Sequence, residues 1–164
     1  MRKLYPLLGA LVLIISCNQG KENAGEDVTS GTDFDIAQLP KKINANAKSN
    51  EILQAWPEYN ALETSFDLLY NAKNKEDLKL MIEDLIEKQK LLEASEYPET
   101  FNKPQIKSRQ KVFKTYVLKV KASLEDRKET MTPAKEMVTA YNALKTQFNV
   151  IVNNTLDTTL ILDE

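Results

Sequence analysis

The side chains best placed to act on something outside this chain are one thiol and one run of cations. Cys17 is the only cysteine and closes a short apolar run, Leu7 to Ile15, through Ser16. Lys107, Arg109 and Lys111 open a basic stretch that continues to Lys128, with Glu125 and Asp126 its only acids. Guanidinium and ammonium groups pair with phosphate and carboxylate. Lys107, Arg109 and Lys111 are therefore the candidate contacts for an anionic partner such as a lipid headgroup, lipopolysaccharide or acidic glycan. A competing reading comes from the segment before them, which carries Glu76, Asp77, Glu83, Asp84, Glu87, Glu93 and Glu96. Two antiparallel helices of opposite charge pair with each other, and solvent covers the remainder.

What the chain lacks narrows the chemistry further. It contains no histidine, and all four glycines precede Asp33. Without histidine there is no Ser-His-Asp or Cys-His arrangement, no axial haem histidine and no zinc site of the usual nitrogen and sulfur type. Without later glycines there is no phosphate-cradling loop or dinucleotide fingerprint. No catalytic residue, metal site or cofactor is expected, and Met81 and Met137 read as core filling rather than haem ligands. The net charge is −2, and loss of a leader holding Arg2 and Lys3 makes it about −4. A mildly acidic chain is a poor general binder of nucleic acid, so none is expected as a partner.

Arg2 and Lys3 stand before the apolar run, which is the layout of an export signal. The run is too short for a spanning helix, which needs roughly 20 apolar residues, and the polar Asn18-Gln19-Gly20-Lys21-Glu22-Asn23 follows at once. Ile14, Ile15, Ser16 and Cys17 together resemble the lipobox of bacterial lipoproteins. That resemblance implies cleavage between Ser16 and Cys17, a diacylglycerol on the Cys17 thiol, acylation of the new amine, and a membrane partnership through the lipid. Two or three acyl chains hold firmly where one does not, since each buried methylene adds about 0.8 kcal/mol. Asn18, where some bacteria read Asp as a retention signal, favours the outer membrane by the same resemblance, and Lys21-Glu22 faintly resembles the surface-export tags of Bacteroidetes lipoproteins. The rest of the chain is similar to flavobacterial envelope lipoproteins without assigned activity. Asp157-Thr158-Thr159 resembles the Bacteroidetes O-glycosylation acceptor, which implies Thr158 as the modified residue.

The elements behind Cys17 divide at about Pro40. Residues 17–39 hold Gly, Ser, Thr, Asn, Glu and Asp with few apolar positions and read as a flexible tether. Residues 40–154 carry apolar side chains at helical period, and 155–164 form a tail. A first weak stretch, Lys41 to Ala55, is expected as a short helix or an ordered lead-in. A helix is predicted from Pro57 to about Ala72, with Tyr59, Leu62, Phe66 and Leu69 on one face and Trp56 covering the bundle end. The next is predicted to start after Asn74 as N-cap and run to about Glu96, burying Leu78, Met81, Ile82, Leu85, Ile86 and Leu92. Phe101 is expected to plug the core from the crossing loop. Pro104 opens a third helix, to about Lys128, with Ile106, Phe113, Val117, Val120 and Leu124 at spacings of seven, four, three and four. Thr132 is expected to cap a fourth, with Pro133 first in it and Met137, Tyr141, Leu144, Phe148 and Ile151 as its stripe.

These elements predict an all-α domain: an antiparallel, up-down-up-down four-helix bundle, or a three-helix core with the Pro57 helix displaced. The tyrosines and Trp56 lie on or beside the apolar stripes and read as core and rim rather than a ligand groove. The function expected from anchor, tether and bundle is a non-enzymatic interaction or assembly module with a protein partner in the envelope. The alternative is a carrier of a small apolar ligand or lipid in the bundle core.

Overall fold

Each helix begins where local chemistry permits it. In the computed structural model residues 34–154 are described; Ser16, Cys17 and Thr158, the expected cleavage, lipidation and glycosylation positions, lie outside them. The described residues form five α-helices and three single 3-10 turns: α1 (Ala47–Leu53), α2 (Pro57–Leu68), α3 (Lys75–Ala94), α4 (Pro104–Glu125) and α5 (Met131–Asn153). Asn46 caps α1 by accepting the Ser49 amide at 2.8 Å. Asn74 caps α3 at the Asp77 amide, and Asp77 returns a bond to the Lys73 amide, so two otherwise unpaired donors are satisfied reciprocally. Pro57 and Pro104 stand first in α2 and α4, where a missing N–H costs nothing.

Three expected boundaries move. Helix α2 ends at Leu68 rather than about Ala72 and is followed by a 3-10 turn, Leu69–Asn71. The fourth long helix starts at Met131, two residues before Pro133, and Thr132 does not cap it; the Thr132 amide is taken instead by the Glu129 carboxylate at 2.9 Å. Pro133 fits there because the first helical bond is made by Ala134, to Thr130, so the proline's missing donor is one that would have been orphaned. Helix α4 stops at Glu125 rather than Lys128 because Arg127 turns left-handed at φ 53°. The Arg127 and Lys128 amides then close on the carbonyls of Leu124 and Ser123, a Schellman cap built without the usual glycine.

The core follows the predicted stripes. Tyr59, Leu62, Phe66, Leu69, Leu78, Ile82, Leu85, Leu92, Phe101, Ile106, Phe113, Val117, Val120, Met137, Tyr141, Leu144 and Phe148 are buried, while Met81, Ile86, Leu124 and Ile151 lie half-buried against them. Phe66 and Tyr141 stack at 3.9 Å, with Phe113 5.0 Å from Tyr141. A run of ring contacts continues from Phe101 through Phe148, Tyr59 and Trp56 to Tyr97. Pairings in reversed order show that α5 runs antiparallel to α2 and to α4. Along α2, Tyr59 and Phe66 meet Phe148 and Tyr141 of α5; across α4 and α5, Phe113 meets Tyr141 and Lys119 approaches Glu136.

The packed chain begins before Pro40, inside the stretch read as tether. Phe34 and Leu39 are buried, and from Pro40 to Asn46 an extended strap lies against α5. Asparagines hold it there. Asn142 accepts the Ile43 amide at 3.0 Å and donates to the Lys41 carbonyl at 2.9 Å, and Asn149 accepts the Asn46 amide at 2.8 Å. A carboxamide thus replaces the sheet partner that an extended backbone would otherwise need.

Candidate functional site

The described residues contain two polar arrangements of contrasting kind. One is centred on Glu63, which faces α5 from the second turn of α2. Its Oε1 accepts from the ammonium groups of Lys42 and Lys145, each at 2.5 Å. Its Oε2 accepts from the Tyr59 hydroxyl at 3.1 Å and from the Tyr141 hydroxyl. Asp67, one turn further on, pairs with Lys42 as well. The cluster therefore clasps the strap, α2 and α5 together.

Its electrostatics follow from depth. Burial opposes the Glu63 charge, but the bonds from Lys145, Lys42 and Tyr141 outweigh it and hold the carboxyl below its ordinary range. The Lys145 side chain is 3% exposed against 15% for Lys42. For Lys145 burial prevails over the Glu63 bond and lowers the ammonium pKa. For Lys42, burial is overcome by the bonds to Asp67 and Glu63, and the pKa rises. Burial drives the Tyr59 and Tyr141 hydroxyls well above their usual values. With both carboxylate oxygens holding two donors each, Glu63 has no free lone pair to offer a substrate.

The second arrangement is a recess of about 350 Å³ between the end of α3 and the beginning of α4, lined in part by Glu93, Glu96, Tyr97, Lys107, Gln110 and Lys111. Tyr97 donates its hydroxyl to Gln110 Oε1, and burial raises its pKa. The Lys107 ammonium sits 5.1 Å above the Tyr97 ring. Gln110 is 3% exposed, yet its Nε2 has no partner. A neighbouring recess of about 490 Å³ shares Glu96 and Tyr97 and is lined also by Trp56, Pro98, Glu58 and Glu99. The Trp56 indole N–H is satisfied by the Ser95 hydroxyl at 2.9 Å.

The three predicted cationic contacts separate here. Lys107 and Lys111 are one turn apart and both line the recess. Arg109 is exposed and lies about 160° around α4 from Lys107, on the flank toward α5. The expected pairing of acidic α3 with basic α4 reduces, among the described residues, to Glu93 with Lys114 at 2.5 Å. Lys119 turns to Glu136 of α5, and Lys121 to Glu125 of its own helix. Of the aromatic side chains, Trp56, Tyr59 and Tyr141 are buried, and Tyr70, Tyr97 and Tyr116 form a half-buried rim.

Lys42, Glu63, Lys145, Gln89 and Gln110 were not singled out by sequence reasoning, although part of their signal was present. The spacing of seven between Ile106 and Phe113 leaves Gln110 at the vacant position of the stripe, and Gln89 fills the corresponding place between Leu85 and Leu92. Glu63 and Lys145 each stand four residues after a stripe tyrosine, on facing helices. A polar residue in apolar register is a sign of a buried partner or of an unmet one.

Among the described residues there is no group of three or more His, Cys, Asp or Glu able to hold a metal ion. No helix among them is long and apolar enough to cross a membrane. Compared with family models, curated proteins and solved structures, the chain gives no match.

Proposed function

We propose that this chain is a lipid-anchored protein of the cell envelope, held through Cys17 on the outer membrane, whose helices form an up-down-up-down four-helix bundle acting as a non-enzymatic interaction module. The observation that carries the reading is the saturation of Glu63. The Glu63 carboxylate spends all its accepting capacity on the strap and two helices, which suits a structural clasp and not a reaction centre. The antiparallel contacts of α2 with α5 and α4 with α5 support the bundle, and the stacked Phe66, Tyr141 and Phe113 rings fill the space a carried lipid would need. The strap's ties to α5 also suit a domain displayed from a tether on its N-terminal side.

The anchor is tested by intact mass of protein from its native host. A diacylglyceryl and an acyl group on a chain beginning at Cys17 are expected, and an unmodified cysteine overturns the anchor. The module is tested by photo-crosslinking residues placed on the outer faces of α3 and α4 in intact envelopes. One discrete adduct is expected. A stoichiometric lipid extracted from the purified domain, with no adduct, would return the reading to a carrier.

A further inference from the structure

We propose that the recess at the start of α4 is a binding site for a tetrahedral oxyanion, a phosphate or sulfate group carried by a small polar molecule or by a lipid headgroup. Its unmet groups are donors. Lys107 and Lys111 line it without a carboxylate partner among the described residues, and Gln110 Nε2 lies beneath them with no acceptor. Its Oε1 accepts from the Tyr97 hydroxyl. A buried donor left unpaired is a standing penalty in the empty protein, removed when a ligand oxygen arrives.

Charge favours an anion despite the acids at the rim. Glu93 pairs with Lys114, which leaves Lys107 and Lys111 beside Glu96 in the lining of the recess. The donors come from two successive turns of α4 and from the exposed Asn102 of the preceding loop. A planar carboxylate meets one such direction well; a tetrahedral group meets several. The recess is of small-ligand size, and the adjoining groove lined by Trp56 and Pro98 gives the uncharged remainder of the ligand a place to lie, with Glu96 available to a hydroxyl.

The site does not depend on the anchor or on the module reading, and it can be tested apart from them. The full chain in neutral detergent is titrated with inorganic phosphate and with sulfate while amide and side-chain NH₂ resonances are followed by NMR. Saturable shifts are expected at Gln110 Nε2, Lys107, Lys111 and Asn102, with affinity falling at least tenfold in Lys107→Gln/Lys111→Gln and in Gln110→Leu, and unchanged in Arg109→Gln. Dihexanoyl phosphatidylglycerol below its micellar concentration, against glucose 6-phosphate, separates the sources: tighter binding of the first identifies a headgroup, of the second a soluble ligand. Absence of saturable shifts in the wild-type chain overturns the proposal. So does equal loss of affinity in Arg109→Gln, which would mean diffuse attraction to a basic surface.

Discussion

The Glu63 clasp and the recess beside Tyr97 are made from the same kinds of side chain, lysines, carboxylates and tyrosine, and they are finished differently. At Glu63 every acceptor is used, and the two lysines that approach it come from separate parts of the chain, Lys42 and Lys145. At the recess two lysines come from one helix and meet no carboxylate, while a buried amide hydrogen-bonds through one atom only. A closed network fixes structure, because losing any member strands the others in a poorly solvated place. An open one has donors to spend on something else. The distinction lies in completeness of pairing rather than in composition.

The sharpest way to break the comparison is to open the clasp. Glu63→Ala leaves Lys145, nearly fully buried, without its counter-charge, and the cost of an uncompensated buried charge is about 3–5 kcal/mol. Urea denaturation should show that loss. Lys145→Met combined with Glu63→Leu should recover most of it, because apolar groups of similar size replace the pair. If the double variant stays as unstable as the single one, the cluster does more than clasp.

Next in size is the pH dependence. The Glu63 carboxyl sits below its ordinary 4.5 in the folded chain. The unfolded chain therefore takes up the proton first, and the stability this group contributes above about pH 4.5 is lost as pH falls through the lower folded value. Glu63→Gln should flatten that acid limb in urea titrations run from pH 6 to pH 3. At the alkaline end the members oppose one another. Lys145, lowered from 10.5, adds stability as pH rises from its folded value toward 10.5. Tyr59 and Tyr141, raised above 10.0, withdraw stability once the unfolded tyrosines ionise. The alkaline limb should therefore be shallower in the wild type than in Lys145→Met, where only the tyrosines and Lys42 remain.

Legibility of these two regions from sequence was uneven for a physical reason. Apolar period reports which face of a helix is covered, so Tyr59, Phe66, Phe113, Tyr141 and Phe148 were readable as core. It is blind to a polar residue in the same register, and that is where Glu63, Lys145, Gln89 and Gln110 sit. The bonds that join Glu63 to Lys145 span eighty-two residues, and Gln89 has no side-chain partner at all; no local pattern encodes either. The start of the packed chain is illegible for a related reason. Phe34 and Leu39 stand in a polar stretch without apolar period, so nothing local marks them as buried. Charge counting is blind in another way. It groups Lys107, Arg109 and Lys111 by sequence, while the turn of α4 places Arg109 about 160° around the helix from Lys107.

The recess should respond with the opposite sign to the clasp. Replacing Gln110 by Leu removes a buried Nε2 that has no partner and puts an isosteric apolar side chain at a position in register with Ile106 and Phe113. The bond from Tyr97 is lost as well, which costs about 1 kcal/mol, but that hydroxyl is half-buried and can turn to water. Relief of the unpaired amide, about 1–3 kcal/mol, offsets this, so the net change should be a gain of about 1 kcal/mol measured by urea denaturation at neutral pH.

The smallest expected effect is the most discriminating. Lys107→Gln/Lys111→Gln touches two exposed side chains without ion-pair partners among the described residues, so stability should stay within about 0.5 kcal/mol of wild type. The lysine–tyrosine contact it removes is of the weak exposed kind. If the recess were another clasp, losing two of its cations would destabilise the domain as opening the first one does. A stability unchanged by that substitution, beside a gain from Gln110→Leu, is the behaviour of groups kept for a ligand, since positions maintained for binding are those where stability is left unoptimised. A loss of more than 1 kcal/mol would instead show Lys107 and Lys111 to be partners of Glu96 in solution, and the contrast between the two regions would close.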